Sequence, residues 1–395
     1  MKYWFLQKNL LQEYCFQLKG RTMQGALRLK LGKFFLSCIF VICFFGISLA
    51  KNETIKITDQ AGREVVLPKK IERIVALHGT LRYVVYLKAF DKVVGIEGFE
   101  KQRSIQGNPA VGRAYWNAIA DRIDKLPVIG EGGPGKLPDF EKLITVKPDV
   151  IFTHEPDLAD IIQKRTGIPV VVLASIGTQG FKIEDVYELL RFLGILLNKE
   201  KRAEELIHYL RACIEDLKKR SERNGRMPTV YVGAVSMRGH HGFTSTQANY
   251  PPLLWLNLKN VVDELGVKGH VFVDREKLLL WNPDYIFIDA NGFSLVADDY
   301  RKNKTFYQRL KAVKNEKVYT LLPFNFYRVN IELMLINSYF IGKTVHERGF
   351  VDLNFERKAR EILKTFLGVD PYDNLVSTYP AFKKVKFTER EILLK

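Results

Sequence analysis

DFEKLITVKPDVIFTHE, residues 139–155, aligns without gaps with DREKLLLWNPDYIFIDA, residues 274–290, and eight of the seventeen positions are identical. Each segment predicts a helix, then a Pro-Asp turn, then a buried strand. The two copies are separated by 135 residues. Such a long-range repeat predicts two lobes with related topology, although helix–turn–strand units are common enough in α/β proteins for coincidence to be the alternative.

Short apolar runs rich in β-branched residues surround both copies and alternate with helical periodicity, which is typical of an α/β fold. The predicted strands are Ile74–Leu77, Val93–Ile96, Val150–Thr153, Val170–Leu173, Thr229–Val235, Tyr285–Ile288 and Val318–Leu321. Residues 199–223 repeat apolar side chains on one helical face. We therefore predict an N-terminal α/β lobe over residues 51–182, a helical segment over 183–225 that contains one long helix, and a C-terminal α/β lobe over 226–395.

The first 50 residues have the pattern of an export signal. Basic residues precede the uncharged apolar run Phe34–Leu49, and the small residues Ser48 and Ala50 occupy positions −3 and −1 of the predicted cleavage site. This pattern predicts a secretory signal peptide cut after Ala50, with Met23 as an alternative start, and hence a periplasmic protein. An uncleaved anchor is the alternative, but the run is short for a membrane span of about 20 residues.

The charge and cysteine content narrow the classes of partner. The chain of 395 residues carries a net charge of +17, and residues 1–50 hold seven Lys/Arg and one Glu, which leaves +11 for the mature part. A basic exported protein suggests anionic ligands. Nucleic acid is not expected, because the chain is exported and has no recognition motif. The mature chain keeps only Cys213, which excludes an intrachain disulfide.

Several motifs along the mature chain resemble those of one family. They are ITDQAGREVVLP (57–68), RIVALH (73–78), GEGGPGKLPDFEKL (130–143), GHVFVDREKLLLWNPDYIFID (269–289) and NIELMLINSYFIGK (330–343). Together with the long helix, they resemble the periplasmic solute-binding proteins of ABC importers for iron complexes, siderophores and cobalamin. The resemblance implies two Rossmann-like lobes joined by a single long α-helix, with the ligand cleft between the lobes.

The resemblance also implies partners and a mechanism. The loaded protein, a monomer, docks on a membrane permease that an ATPase drives, and it performs no catalysis itself. In several members, one glutamate on each lobe pairs with permease arginines, and the matching positions here are Glu141 and Glu276, one in each copy of the repeat. Ordinary solvated helix carboxylates are the alternative interpretation of these two residues.

Loops that follow predicted strands supply the candidate ligand-binding residues, because ligands gather at the carboxyl ends of parallel strands. The candidates are His78, Arg113, Tyr115, Trp116, Arg238, His241, Tyr250, Tyr327 and Arg328. Arginine binds carboxylate or catecholate groups, and aromatic rings form flat walls for a chelate. His78 and His241 are also candidate metal ligands. No intrinsic cofactor is expected, and the predicted ligand is an Fe(III) complex or another metal chelate.

Other functions stay open at this point. Within the binding-protein class, cobalamin, haem or a His-complexed metal such as nickel are alternatives to a ferric siderophore. A membrane-anchored sensor and an exported enzyme are alternatives of other classes. The chain contains neither G-x-S-x-G nor H-E-x-x-H. Residues 130–137 lack the hydroxyl that a P-loop needs for Mg²⁺, because Leu137 follows Lys136.

Overall fold

A computed structural model of the chain describes residues 53–105, 108–177, 180–222, 226–237 and 239–395. The predicted signal peptide and Arg238 lie outside these residues. Residues 54–395 form one compact unit. Within the described ranges, no helix combines the length and the apolar character that a bilayer crossing requires.

The bounds of the secondary-structure elements are as follows. The strands are β1 Thr54–Thr58, β2 Glu64–Pro68, β3 Ile74–Ala76, β4 Val93–Gly95, β5 Ser104–Ile105, β6 Asn108–Pro109, β7 Val150–Thr153, β8 Val170–Val172, β9 Val230–Gly233, β10 Ser245–Ala248, β11 Gly269–Phe272, β12 Tyr285–Asp289, β13 Val318–Leu321, β14 Val385–Phe387 and β15 Ile392–Leu394. The α-helices are α1 Leu81–Tyr86, α2 Gly98–Lys101, α3 Ala120–Ile123, α4 Phe140–Thr145, α5 Pro156–Thr166, α6 Ile183–Leu197, α7 Glu200–Arg220, α8 Pro251–Leu254, α9 Arg275–Trp281, α10 Phe293–Lys302, α11 Lys304–Arg309, α12 Lys311–Lys314, α13 Ile331–Val345, α14 Phe355–Leu367 and α15 Tyr372–Thr378. Short 3₁₀ helices lie at Phe90–Lys92, Ala110–Gly112, Ala114–Ala118, Val261–Leu265, Ala290–Gly292 and Glu347–Phe350.

Two parallel sheets carry the fold. The N-terminal sheet has the order β4-β3-β7-β8, and the C-terminal sheet has the order β13-β12-β9. Their strands are buried along almost their whole length, as expected of parallel strands with both faces covered. The predicted α/β class is confirmed. Strands β7 and β13 have the predicted bounds, and the other predicted strands differ at their ends by one or two residues.

The repeat has the same structure in both sheets. In each copy the predicted helix, α4 or α9, precedes the predicted strand, β7 or β12. The carboxylate of Asp149 accepts hydrogen bonds from the backbone N–H groups of Glu72 and Arg73, both at 2.8 Å, just before β3. The matching carboxylate of Asp284 accepts from the N–H of Thr229 at 2.9 Å, just before β9. The Pro-Asp turn therefore ties its own strand to the start of the neighbouring strand in both copies.

The helical segment between the sheets contains two helices, α6 and α7, whereas only one long helix was predicted there from the sequence. Helix α6 ends at Leu197, because Asn198 adopts a left-handed conformation with φ of 55°. Helix α7 then runs for 21 residues, and its buried stripe includes Cys213. These two helices pack side by side, and α7 also contacts α13.

The C-terminal part of the chain returns to the N-terminal lobe. The ring of Phe366 on α14 lies 5.2 Å from the ring of Tyr86 on α1. Arg202 of α7 donates a hydrogen bond to the backbone carbonyl of Tyr86 at 3.0 Å and another to the carbonyl of Thr365. The largest buried apolar cluster accordingly contains residues from both lobes and from the helices between them. The two sheets thus share one core.

Four antiparallel hairpins in the described part of the chain were not predicted from the sequence: β1–β2, β5–β6, β10–β11 and β14–β15. Their strands contain two to five residues, and most are partly exposed, so their hydrophobic pattern is weak. The β10–β11 hairpin matters for function because it lies beside the carboxyl end of β9, where it contacts that strand.

Candidate functional site

The carboxyl edge of the N-terminal sheet is a buried polar network. His78 follows β3 and has no exposed surface. Its backbone N–H donates to Glu97 Oε2 at 3.0 Å, while its ring nitrogens lie 2.7 Å from Thr153 Oγ1 and 2.8 Å from the Lys136 carbonyl. Burial lowers the pKa of the His78 imidazole. A metal ion would reach His78 only by displacing one of these two ring hydrogen bonds.

Glu97 is the central group of this network. It follows β4, and it is 2 % exposed. Burial raises the pKa of its carboxyl to about 8, against the lowering effect of the hydrogen bond from Tyr327. Gly132 adopts φ of +79°, and a Cβ there would lie 2.4 Å from Cβ of Glu97. The glycine-rich loop over residues 130–136 therefore packs closely on a buried carboxyl, in agreement with the rejection of a P-loop.

A segment from the C-terminal lobe, Leu322–Asn330, reaches this network, and we call it the bridging loop. It follows β13 and ends at the start of α13. Tyr327 and Arg328 have positive φ values of 50° and 77°, which are strained for residues with a Cβ. The buried Arg82 holds this conformation, because its guanidinium donates hydrogen bonds to the carbonyls of Tyr327 and Val329.

The two side chains at the tip of the bridging loop bind the N-terminal lobe directly. The Tyr327 hydroxyl donates to Glu97 Oε2 at 2.5 Å. Arg328 forms an ion pair with Glu155 and donates to Ser175 Oγ at 2.9 Å. The Arg328 and Glu155 side chains are 20 % and 27 % exposed, so this ion pair lies at the rim of the network, within reach of solvent.

Arg113, Tyr115 and Trp116 cluster around a second buried acidic residue, Glu100. Arg113 is fully buried in an ion pair with Glu100, with 2.9 Å between Nη1 and Oε2. The Tyr115 hydroxyl donates to the same carboxylate at 2.7 Å, and the indole N–H of Trp116 donates to the Glu100 carbonyl at 3.2 Å. Arg113 also lies against the ring of Phe326, 5.6 Å from its centroid, so this cluster supports the bridging loop.

The carboxyl edge of the C-terminal sheet is formed by the loops after β9 and β12. His240 Nδ1 donates to the Asn291 carbonyl at 2.8 Å, and the Asn291 amide donates to Ser236 Oγ at 2.8 Å. Asp289 ends β12 and is 2 % exposed, and burial raises the pKa of its carboxyl to about 7. Tyr250 is buried against Phe324 of the bridging loop, with ring centroids 5.4 Å apart.

His241 is grouped with two residues that the sequence did not single out, His270 and Phe272 of β11. The imidazole centroids of His241 and His270 are 5.5 Å apart, and the Phe272 ring lies 5.2 Å and 4.9 Å from them. Burial, and then the charge of His241, lowers the pKa of the His270 imidazole. His270 was missed because its strand was not predicted, and a lone histidine before the repeat carries no other signal.

The candidate residues thus fall into three groups. His78, Tyr327 and Arg328 meet at the edge of the N-terminal sheet, Arg113, Tyr115 and Trp116 surround Glu100, and His241 and Tyr250 belong to the C-terminal lobe. Arg238 lies outside the described residues. Among the described residues, no three His, Cys, Asp or Glu side chains converge as a metal site would require. Glu141 on α4 and Glu276 on α9 are both exposed.

Comparison with protein families identifies the chain. The model of the periplasmic binding protein family matches residues 74–323, which span both parallel sheets. The chain belongs to this family. Its members are transport-associated binding proteins.

Relatives in the periplasmic binding protein family have diverse ligands. The chain is 22 % identical to the ABC transporter substrate-binding lipoprotein YvrC of Bacillus subtilis, over 70 % of this chain and 82 % of the relative. It is 22 % identical to the molybdate-binding protein MolA of Haemophilus influenzae, over 78 % of this chain and 90 % of MolA. It is 24 % identical to the Fe(3+)-citrate-binding protein YfmC of B. subtilis, over 47 % and 58 %.

Solved structures show the same fold. The molybdate-bound MolA structure has a TM-score of 0.61 at 19 % identity, over 80 % of this chain and 98 % of MolA. The structure of CeuE from Helicobacter pylori, a Ni-His complex, has a TM-score of 0.56 at 18 % identity, over 82 % and 98 %. At these identities the likeness supports the fold alone, and the ligand must be argued from this chain's own residues.

Proposed function

We propose that this protein is the periplasmic substrate-binding component of an ABC importer, and that it captures an iron complex, such as a ferric siderophore or ferric citrate, for delivery to a membrane permease. The protein acts as a monomer and binds its ligand reversibly. Family membership supports the general role, while the iron complex is inferred from the residues of the cleft.

The observation that carries the proposal is the position of Arg328. It extends from the bridging loop to the carboxyl edge of the opposite sheet, where ligands of open α/β sheets bind. Its guanidinium is only partly exposed, so its charge is weakly screened. An arginine in such a place can bind the carboxylate or catecholate oxygens of an anionic chelate with two parallel hydrogen bonds.

The mechanism follows from the ion pair between Arg328 and Glu155. Without ligand, Glu155 neutralises the arginine and joins the two lobes. An anionic ligand competes with Glu155 for the same guanidinium, and it is retained in the conformation where both lobes contact it. Capture and release then depend on the difference in ligand affinity between the two conformations, with no covalent step.

Two substitutions with opposite expected effects test this proposal. Glu155→Gln removes the competing carboxylate, so the affinity for an anionic ferric chelate should rise several-fold. Arg328→Gln removes the ligand's partner, so the affinity should fall by roughly ten- to a hundredfold, the equivalent of one charge-assisted hydrogen bond. Isothermal titration calorimetry measures both changes. The control is Arg301→Gln, which alters an exposed arginine paired with Asp298 on α10.

The titration should use a panel of ligands: ferric citrate, a ferric siderophore, molybdate, nickel with histidine, haem and cobalamin. Tighter binding of a ferric chelate than of the others supports the proposal. If no ferric chelate binds, or if Arg328→Gln and Arg301→Gln give equal affinities for it, the proposal is wrong. Tight binding of haem or cobalamin alone would favour those alternatives.

A further inference from the structure

We propose that His241 and His270 together form a two-nitrogen site for a divalent transition-metal ion, and that the ion's remaining ligands come from water or from a small chelator. The chelator part of this inference rests on the proposed capture of metal complexes, whereas the metal site itself does not.

The hairpin β10–β11 places His270 on the side that faces the bridging loop. His270 is paired with Gln247 in the antiparallel register, so both side chains lie on one face, together with Ser245 two residues earlier. The Gln247 amide oxygen accepts a hydrogen bond from the side chain of Asn325 in the bridging loop at 3.3 Å. His270 therefore belongs to the same face of the C-terminal lobe as the loop that carries Arg328.

His241 approaches the same place from the loop after β9. A Cβ on Gly292 would lie 2.3 Å from the His241 carbonyl, so the loop after β9 packs directly on the turn after β12. This contact fixes the backbone of His241 at the carboxyl edge of the C-terminal sheet. The two histidines thus come from different elements and meet only in the folded protein.

Hydrogen bonds fix the tautomer of each imidazole. His241 Nε2 lies 2.8 Å from the Met237 carbonyl, which can only accept, so Nε2 carries the hydrogen. Ser245 donates its hydroxyl hydrogen to the Val235 carbonyl at 2.6 Å, so Ser245 Oγ accepts from His270 Nε2 at 2.7 Å. Nδ1 therefore has an unshared electron pair in both rings, and among the described residues nothing donates a hydrogen bond to either Nδ1. Histidines that bind a metal through one ring nitrogen are commonly oriented by a hydrogen bond from the other ring nitrogen, as both are here.

The separation of the rings suits one shared ion. With metal–nitrogen bonds of about 2.0–2.1 Å, two imidazoles on one ion at a near-tetrahedral angle place their centroids roughly 5 Å apart. The observed separation is 5.5 Å, with an angle of 44° between the ring planes. The distance between the two rings is therefore compatible with a single ion bound to both imidazoles.

The site is open to a ligand from outside. Phe272, which packs edge-on against both imidazoles, is 59 % exposed, and Met237 beside His241 is 46 % exposed. The described residues supply no third His, Cys, Asp or Glu to this pair, so the two imidazoles leave positions on the ion for other ligands. Imidazole nitrogen suits Ni²⁺, Cu²⁺ and Zn²⁺. The ligand class is therefore a divalent ion whose own chelator leaves two positions free.

The test is calorimetric titration of the metal-free protein with NiCl₂ alone and then with nickel plus one equivalent of free histidine. Wild-type protein should bind one Ni²⁺, and His241→Ala and His270→Ala should each weaken binding at least tenfold. His208→Ala, at an exposed position on α7, is the matched control and should leave the affinity unchanged. Thermal unfolding checks that each variant is folded. If His270→Ala destabilises the β10–β11 hairpin, His241→Ala still tests the site, because it alters only a loop side chain.

The outcomes separate this inference from the proposed function. Ni²⁺ binding that depends on both histidines and not on Arg328 supports the inference, even if no ferric chelate binds. Failure of Ni²⁺ to bind, or equal affinity in His241→Ala and wild type, overturns it, while ferric chelates can still bind through Arg328. If added histidine produces a further binding signal in the calorimetric titration, and that signal is lost in both His241→Ala and His270→Ala, the ligand is the nickel ion that is partly chelated by histidine.

Discussion

At the scale of single residues, Glu97 determines how the two lobes meet. It accepts hydrogen bonds from the backbone of His78 and from the Tyr327 hydroxyl, so one buried carboxyl joins the N-terminal sheet to the bridging loop. Its raised pKa means that the folded protein keeps this carboxyl protonated at neutral pH, whereas the unfolded chain does not. The proton is therefore part of the folded structure.

This difference predicts a pH dependence of stability. The folded pKa of Glu97 is about 8, above the ordinary value of 4.5, so its contribution is complete below about pH 4.5 and is lost as the pH rises through 8. The free energy of unfolding should fall by about 1 kcal/mol per pH unit between about pH 7 and pH 8, with Asp289 adding to the lower part of this range. Glu97→Gln, which cannot titrate, should flatten the slope.

Urea denaturation at several pH values in this range measures that slope. The buried His154 does not affect the slope in this range. Burial lowers the pKa of its imidazole to about 3, so His154 makes the stability rise with pH only up to about pH 6.5, where the imidazole of the unfolded chain loses its proton. Glu141→Gln is the control. Because Glu141 is exposed, the stability of this variant should depend on pH with the same slope as that of the wild type. Equal slopes in wild type and Glu97→Gln would show that Glu97 ionises normally in the folded protein.

At the scale of elements, the repeated helix–Pro-Asp–strand unit stabilises each sheet in the same way. In both copies the aspartate carboxylate accepts hydrogen bonds from the backbone just before the neighbouring strand, from two N–H groups before β3 and from one before β9. In the second copy Asp284 also forms an ion pair with Lys311. The unit thus connects two neighbouring strands in each sheet.

Removal of these carboxylates should destabilise the protein. Asp149→Ala leaves two backbone N–H groups without their partner, and Asp284→Ala leaves that of Thr229, so we expect each to cost about 1–3 kcal/mol. Asp149→Asn keeps an acceptor oxygen and should recover much of that loss. Urea denaturation measures the free energies. A loss no larger than that of Asp121→Ala, at an exposed position on α3, would refute the capping role.

At the scale of the whole molecule, the two sheets are joined by more than α7. The bridging loop crosses to the N-terminal sheet, α14 packs on α1, and one apolar core includes both lobes. Such extensive contact restricts how far the lobes can separate. A rigid pair of lobes can present one docking surface on each, and the repeat places Glu141 and Glu276 at matching positions of α4 and α9.

This arrangement predicts that the two glutamates act in transport and not in ligand capture. Glu141→Lys and Glu276→Lys should each lower uptake of the ligand by cells that carry the cognate permease, and the double variant should lower it further, because a permease arginine would face a positive charge. Ligand affinity, measured by calorimetry, should be unchanged. Glu391→Lys, an exposed position near the C-terminus, is the control, and an equal loss of uptake in that variant would contradict a docking role.

The α/β class, the repeat, the parallel strands and the buried stripe of α7 could be predicted from the sequence, because these depend on local periodicity and on turn residues that act within a few positions. The sequence did not predict the four antiparallel hairpins of the described residues, whose strands are short and mostly partly exposed, nor the end of α6 at Asn198, which depends on a single left-handed residue. The partners of the polar side chains depend on the tertiary structure. Arg113 and Arg328 look alike in the sequence, yet one is buried against Glu100 and the other lies at the rim of the polar network of the N-terminal sheet. His241 meets His270 through a hairpin that no local signal predicted, since such contacts join residues far apart in the chain.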